Sequence, residues 1–343
     1  MDGKKMFNHL FILTDDTGMM QHSIGSVPNP KYGYTTDDNG RALIACTMMY
    51  EKYKDDVYID LIKKYLSFLM YAQEQDGHFR NFMSFDRKFI DEDFSEDCFG
   101  RCIWALGYLI NADIDERVKL PAYKMIEKSL PLVDTLNYIR GKAYTLIGLY
   151  YVYNSFKNLD KDFVRKKMDK LAYNIIEEYE KNSSEDWQWF EDVVSYDNGI
   201  IPLSLLKYFS IAKDGKILDV ALKTVDFLDS VCFKNGYFKA VGCKGWYRKG
   251  KDIAEYDEQP VEAYTMALMY IDAYKLTGDE KYKKRAIDCD KWFYGKNSKG
   301  LSLYDEDSGG CSDGITENGV NSNEGAESLI SIMISHCATG QLK

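Results

Sequence analysis

Six stretches of this chain gather carboxylates, arginines and aromatic residues between long apolar runs. They are YTTDDNGR (Tyr34 to Arg41), FSEDCFGR (Phe94 to Arg101), NYIRG (Asn137 to Gly141), DWQWFEDVVSYDNG (Asp186 to Gly199), GWYRKG with YDEQPVEA (Gly245 to Ala263), and GGCSDGITENGVNSNEGAES (Gly309 to Ser328). Carboxylates beside flat aromatic faces suit glycoside chemistry. One acid protonates the leaving oxygen, a second activates water or attacks the sugar, and Trp or Tyr covers the ring.

Glu191 follows three aromatic residues in WQWFE, a setting expected to favour its protonated form and to suit a general acid. Asp38 or Asp313 would be the matching base. Asp97, Asp197, Glu262, Asn321 and Glu327 are read as substrate contacts, with Arg41, Arg101 and Arg140 as clamps that otherwise neutralise nearby acids. Trp187, Trp189 and Trp246 fall in loops and are read as sugar platforms, with plain loop packing as the alternative. Asp37, Asp38, Asp97 and Asp197 each precede a helical pattern, so a plain N-cap is the competing reading for all four. Glu258 with Glu262, and Glu324 with Glu327, are spaced about one helical turn apart and are expected to share a helix face.

The elements that must carry these stretches are helices. Apolar residues recur at helical spacing over roughly 39–53, 57–75, 98–111, 116–130, 139–156, 161–181, 198–212, 216–232, 260–276, 279–295 and 324–338. Short links (Lys54 to Asp56, Asn158 to Asp160, Lys213 to Gly215, Thr277 to Gly278) join them into antiparallel hairpins, and the connections between hairpins are long. Alternate helices are apolar on all sides and rich in small residues, as in GRCIWALGYLI. Their partners are amphipathic with lysine-rich faces, as in RKKMDKLAYNIIEEYEK. The expectation is all-α: an (α/α)6 toroid of helical hairpins in one domain over 1–343, with 1–36 an N-terminal segment packing on the barrel and standing in for a twelfth helix. An open solenoid would need polar terminal caps that the sequence lacks.

Composition narrows the function further. The formal net charge of -10, without a Lys/Arg block, argues against nucleic acid. The N-terminal MDGKKMFNHLFILTDD has too short an apolar stretch for a signal peptide, and no later run approaches a membrane span, so a cytoplasmic location with reduced cysteines is expected. The four histidines and eight cysteines form no zinc-type spacing, so neither metal nor cofactor is expected. A phosphate loop and a GxSxG elbow are both absent from the sequence.

In LTDDTGMMQHS (13–23), GYTTDDNGRALI (33–44), FRNFMSFDR (79–87), EDCFGRCIWALG (96–107), WQWFEDVVSYDNGIIPLSLL (187–206), GWYRKG, EQPVEA and GGCSDGITENGVNSNEGAES, the sequence resembles a bacterial family of six-hairpin glycosidase-like proteins, related to domains attached to group 1 glycosyltransferases. The resemblance implies the (α/α)6 barrel, carbohydrate-related work, and site roles for Asp38, Asp97, Glu191, Asp197, Glu262, Asp313 and Glu327. The chain departs from that family at Glu258 and Glu324, where glutamine is expected, so neither is placed in the catalytic set. The sequence holds no glycosyltransferase domain, and any such activity would belong to a separate partner. The leading reading is an inverting glycoside hydrolase or phosphorylase acting on a short oligosaccharide. The alternatives are a sugar-binding accessory protein for a glycosyltransferase and a sugar epimerase.

Overall fold

A computed structural model describes residues 6–156 and 159–342. Residues 1–5 of the N-terminal segment and the start of the expected link at Asn158 lie outside the described residues. Two compact units are present, Met1–Leu171 and Ala172–Lys343.

In the first unit a five-residue helix, α1 (His9–Leu13), precedes α2 (Thr36–Tyr53), α3 (Val57–Ala72), α4 (Glu96–Asn111), α5 (Glu116–Ser129), α6 (Ile139–Ser155) and the first part of α7 (Lys161–Asn182). The second unit holds the rest of α7, then α8 (Ile200–Ala212), α9 (Gly215–Cys232), α10 (Pro260–Thr277), α11 (Glu280–Trp292) and α12 (Ala326–Thr339). All eleven expected helices are present, and α1 is additional.

Burial separates two kinds of helix, as the composition suggested. Every residue is buried from Asp38 to Met49 in α2, from Cys98 to Gly107 in α4 and from Ile139 to Leu149 in α6. By contrast α3 buries Tyr58, Leu61, Ile62, Tyr65, Leu66 and Leu69, the single stripe of a helix with one face in solvent. The second unit repeats this, with α8 and α10 buried through their first turns and α9 burying only Ile217, Val220, Ala221, Val225 and their stripe-mates. Within the first unit α2 packs on α4 and α4 on α6; within the second, α8 packs on α10 and α10 on α12.

Small residues set the spacing of α4 and α6. Each carries two glycines two turns apart (Gly100 and Gly107, Gly141 and Gly148). A Cβ at Gly107 would lie 2.4 Å from the Gly148 carbonyl oxygen, and one at Gly100 would lie 2.7 Å from that of Gly141. The backbones touch, so no side chain larger than hydrogen fits between them.

The short links end helices by left-handed residues. Lys54, Lys213 and Gly278 have φ of 53°, 58° and 71°, and their N–H groups bond the carbonyls of Tyr50, Phe209 and Tyr274. The long loops carry four small antiparallel hairpins or ribbons: β1 (Ser23–Ile24) with β2 (Val27–Pro28), β3 (Tyr34–Thr35) with β4 (Phe82–Met83), β5 (Val193–Val194) with β6 (Tyr247–Arg248), and β7 (Gly314–Thr316) with β8 (Gly319–Asn321). Among the described residues no helix is long and apolar enough to cross a membrane.

Candidate functional site

The N-terminal ends of α2, α4 and α6 lie together at one end of the first unit, because side chains of their first two turns bond one another. Arg101 of α4 donates to both oxygens of Asp37 at 2.8 and 2.7 Å and to the Tyr144 hydroxyl of α6 at 2.6 Å. Its guanidinium also sits 4.4 Å from the Tyr144 ring centroid. Arg41 donates to Asp37 and to Asp38, each at 3.0 Å. The second oxygen of Asp38 accepts from the Thr35 hydroxyl at 2.6 Å. Burial works to raise the Asp37 pKa, but the charges of Arg101 and Arg41 outweigh it and hold this carboxyl below the ordinary aspartate range.

Neutralisation of inner acids is therefore what Arg41 and Arg101 do. Asp37, absent from the expected site set, is the acid both arginines share; its spacing of four from Arg41 was the available signal. Arg140 is buried in the first turn of α6, and Asp97 is half-buried in the first turn of α4. The N-cap reading of the aspartates is corrected: Thr35 caps α2, Ser95 caps α4, and Gly199 occupies that position of α8. The aspartates fall two or three residues away from those positions.

Glu96, beside Asp97, does a different job. Its buried carboxylate accepts the main-chain N–H groups of Asn137, at 2.9 and 2.8 Å, and of Tyr138, at 2.7 Å, so α4 caps the entry to α6. Nothing in the sequence spacing distinguished Glu96 from Asp97 for this role.

In the second unit the ends of α8, α10 and α12 are likewise joined. Glu262, in the first turn of α10, accepts from the main-chain N–H of Asp197, from that of Asn198 at 3.3 Å and from the Asn198 amide at 2.9 Å. Asp197 is fully buried with φ 50°. Burial first, and then the adjacent Asp197 charge, push Glu262 up to about 7 against these hydrogen bonds. Asp313 accepts from the Gly325 N–H at 2.8 Å and the Ser328 hydroxyl at 2.7 Å, which ties it to the start of α12. Glu327 is half-buried in the same turn. Asn321 is exposed on β8; its carbonyl accepts from Asp313 N–H at 3.0 Å and its side chain from Asn323 N–H at 3.3 Å.

Two glutamate pairs expected to share a helix face do not. Glu258 precedes α10 and is fully buried, accepting from Trp292 Nε1 at 3.0 Å and from the Ser298 hydroxyl, while Glu262 turns to Asn198. Glu324 precedes α12 and accepts from the Ser308 hydroxyl at 2.8 Å. Both helices begin two residues after these glutamates, so helical spacing does not apply. Burial raises the pKa of both Glu258 and Glu324.

The tryptophans are also corrected. Trp187 is 3% and Trp189 0% exposed. Their Nε1 groups donate to the carbonyls of Glu191 and Val193 at 2.7 and 3.1 Å, and both rings pack against Phe227 of α9. Neither leaves a face for a sugar. These indoles fold the loop that presents Glu191, itself half-buried. Trp246 is half-buried at φ 59° in the loop before β6.

Comparison with known proteins places the architecture. No family profile and no curated protein matches the sequence. Among solved structures, a sugar epimerase from a ruminal bacterium superposes with a TM-score of 0.74 at 15% identity, covering 98% of both chains. A cellobiose 2-epimerase from Spirochaeta thermophila gives 0.75 at 14% identity, covering 99% of this chain and 95% of the other. An inactive variant of a Salegentibacter α-1,6-mannanase, with two adjacent aspartates changed to asparagine and α-1,6-mannotriose bound, gives 0.63 at 13% identity over 99% and 98% of the chains. The fold of this chain is therefore all-α and of the (α/α)6, six-hairpin glycosidase-like class that these proteins share.

Proposed function

We propose that this chain is a carbohydrate-active enzyme that cleaves a short oligosaccharide with paired carboxylates, as a glycoside hydrolase or phosphorylase. The observation that carries the reading is the concentration of acids at the N-terminal ends of otherwise apolar, buried helices: Asp37, Asp38 and Asp97 in the first unit, and Asp197, Glu262 and Glu327 in the second, with the loop residue Asp313 bonded to the start of α12. Burying a charge costs several kcal/mol, on the order of the stability of the whole domain, and a ligand-handling role accounts for retaining the buried Asp38, Asp197 and Glu262 among them. The fold is shared with a mannanase whose inactive form lacks two adjacent aspartates, and adjacent acids recur here as Asp37–Asp38 and Glu96–Asp97.

In the proposed inverting reaction the Glu191 carboxyl gives its proton to the glycosidic oxygen. Asp313, in the same unit, takes a proton from the water that attacks the anomeric carbon from the opposite side, and phosphate replaces water in the phosphorolytic form. Asp313 is held in place for that role by the hydrogen bonds it accepts from the Gly325 N–H and the Ser328 hydroxyl. The reading takes the enzyme to be cytoplasmic, the location expected from its sequence, where cysteines stay reduced. It also leaves room for a separate glycosyltransferase partner.

A sugar epimerase is the second reading, favoured by the higher TM-scores of the two epimerases. Epimerisation near neutral pH leans on histidine as acid and base. Here His9 is buried in α1, His22 packs on Tyr32, His78 pairs with Asp76 in a loop, and His336 lies in the last turn of α12. None stands in the first turn of α2, α4, α6, α8, α10 or α12, where the acids gather, so the hydrolytic reading is preferred.

Purified protein incubated with cellobiose and with α-1,6-mannotriose, with and without phosphate, and followed by NMR separates these readings. Shortened saccharide or sugar phosphate, lost in Glu191→Gln with folding intact, supports the proposal. An epimer without cleavage moves the assignment to an epimerase, saccharide-induced stabilisation without product moves it to a binding protein, and no response of any kind overturns the carbohydrate reading.

A further inference from the structure

We infer that Tyr138, at the entry to α6, is a saccharide platform that sets substrate affinity; this rests on the carbohydrate reading above. With Trp187 and Trp189 buried, the role of a flat face for a sugar ring falls to other aromatics. Tyr138 is 71% exposed, more than any other large hydrophobic side chain exposed among the described residues. It is the N-cap residue of α6 and lies two positions before the buried Arg140.

Exposure by itself means little, since single apolar residues are common on surfaces. The second observation is how the backbone beneath the ring is held. The α2 and α4 entries are capped by their own Thr35 and Ser95, whereas α6 has no side-chain cap of its own. Instead a carboxylate from the neighbouring helix, Glu96, is 8% exposed and accepts the N–H of Asn137, the N–H of Tyr138 and the Asn137 side-chain amide. Asn137 is tied further to the Thr135 carbonyl at 2.9 Å. A buried charge thus fixes the main chain of an otherwise exposed aromatic.

That combination pre-pays the ordering cost of binding. A tyrosine has two side-chain torsions, so on a fixed backbone it offers broad contact area for little lost entropy, and its hydroxyl bonds a sugar hydroxyl. The class of ligand is a pyranose with an apolar face, stacked on the ring, as part of the oligosaccharide handled at the adjacent helix ends. Tyr138 acts on affinity and takes no part in the chemical step.

The test compares wild type, Tyr138→Ala, Tyr138→Phe and Glu96→Gln, using cellobiose and α-1,6-mannotriose as probes and reading KM and kcat where there is turnover and Kd by calorimetry where there is not. Tyr138→Ala is expected to raise KM or Kd at least about fivefold, with kcat and melting temperature unchanged, because a central aromatic contact carries that much affinity. Tyr138→Phe keeps most of the binding, and Glu96→Gln weakens both binding and thermal stability. Wild-type binding that is unaltered in Tyr138→Ala overturns the platform while leaving the carbohydrate reading standing. A wild type that neither binds nor converts either saccharide overturns both.

Discussion

Arg101 on α4 holds both carboxylate oxygens of Asp37 on α2, at 2.8 and 2.7 Å, while its guanidinium lies over the Tyr144 ring of α6. One side chain therefore ties together three buried helices. Replacing Arg101 by alanine leaves Asp37 with Arg41 alone and should cost about 3–5 kcal/mol, the usual loss when one member of a buried pair is removed. Urea denaturation measures this, and a loss below about 1 kcal/mol would show the pair to be as weak as an exposed one.

The same pair has an acid signature. Asp37 is held below its ordinary value of 3.8, so the stability it supplies is complete above that value and fades as pH falls towards the lower folded value. Asp37→Asn should lose stability at pH 7 yet converge on the wild type at strongly acid pH. Parallel melting curves across that range would contradict the assignment.

Glu262 works in the opposite sense. Its carboxyl is raised from 4.5 to about 7, so folding favours the protonated form; the associated stability is full below 4.5 and is lost as pH rises through about 7. Melting temperatures taken from pH 4.5 to 8 should decline more steeply in the wild type than in Glu262→Gln, which has no proton to lose. Equal slopes would mean that Asp197 and Glu262 do not share a buried site in the way their burial and shared backbone contacts require.

Gly148 tolerates no added carbon. A Cβ there would fall 2.5 Å from the Ile103 carbonyl carbon, so Gly148→Ala must push α6 away from α4. Overpacking of this kind costs roughly 1–3 kcal/mol, against the small gain that alanine normally brings to a helix. Thermal denaturation decides the sign, and a stabilised variant would refute the close approach.

Trp189→Ala separates packing from recognition. The indole is fully buried against Phe190 and Phe227, so its loss should cost about 3–5 kcal/mol of stability. Saccharide affinity measured well below the melting temperature should change far less than in Tyr138→Ala. The reverse ranking would restore Trp189 as a sugar contact.

Much of the fold was legible because each helix carries its own period. The eleven expected helices lie within three residues of their observed ends, and the larger errors have local causes. The apolar period begins only after the polar Thr36, Asp37 and Asp38, whereas Thr35 caps α2 ahead of them. At the end of α11, Phe293 and Tyr294 continue the apolar run, but the chain turns there and Lys296 N–H bonds back to the Lys291 carbonyl at 3.0 Å.

The candidate site was less legible, since its decisive contacts join residues distant in sequence. Whether Trp189 faces solvent or Phe227 depends on where α9 lies. Whether Glu96 or Asp97 caps α6 depends on how α4 meets it. Residue types and loop position are shared by both outcomes, so composition and spacing do not separate them.

The two-residue ribbons in the long loops have a consequence for engineering and divergence. Val193 and Val194, before α8, pair with Arg248 and Tyr247, before α10; Tyr34 and Thr35, before α2, pair with Met83 and Phe82, before α4. These four loops are therefore not independent cassettes. An insertion at 193–194 shifts the register of 247–248 and with it the approach to a second helix, so grafting or recombination should exchange loops as paired halves.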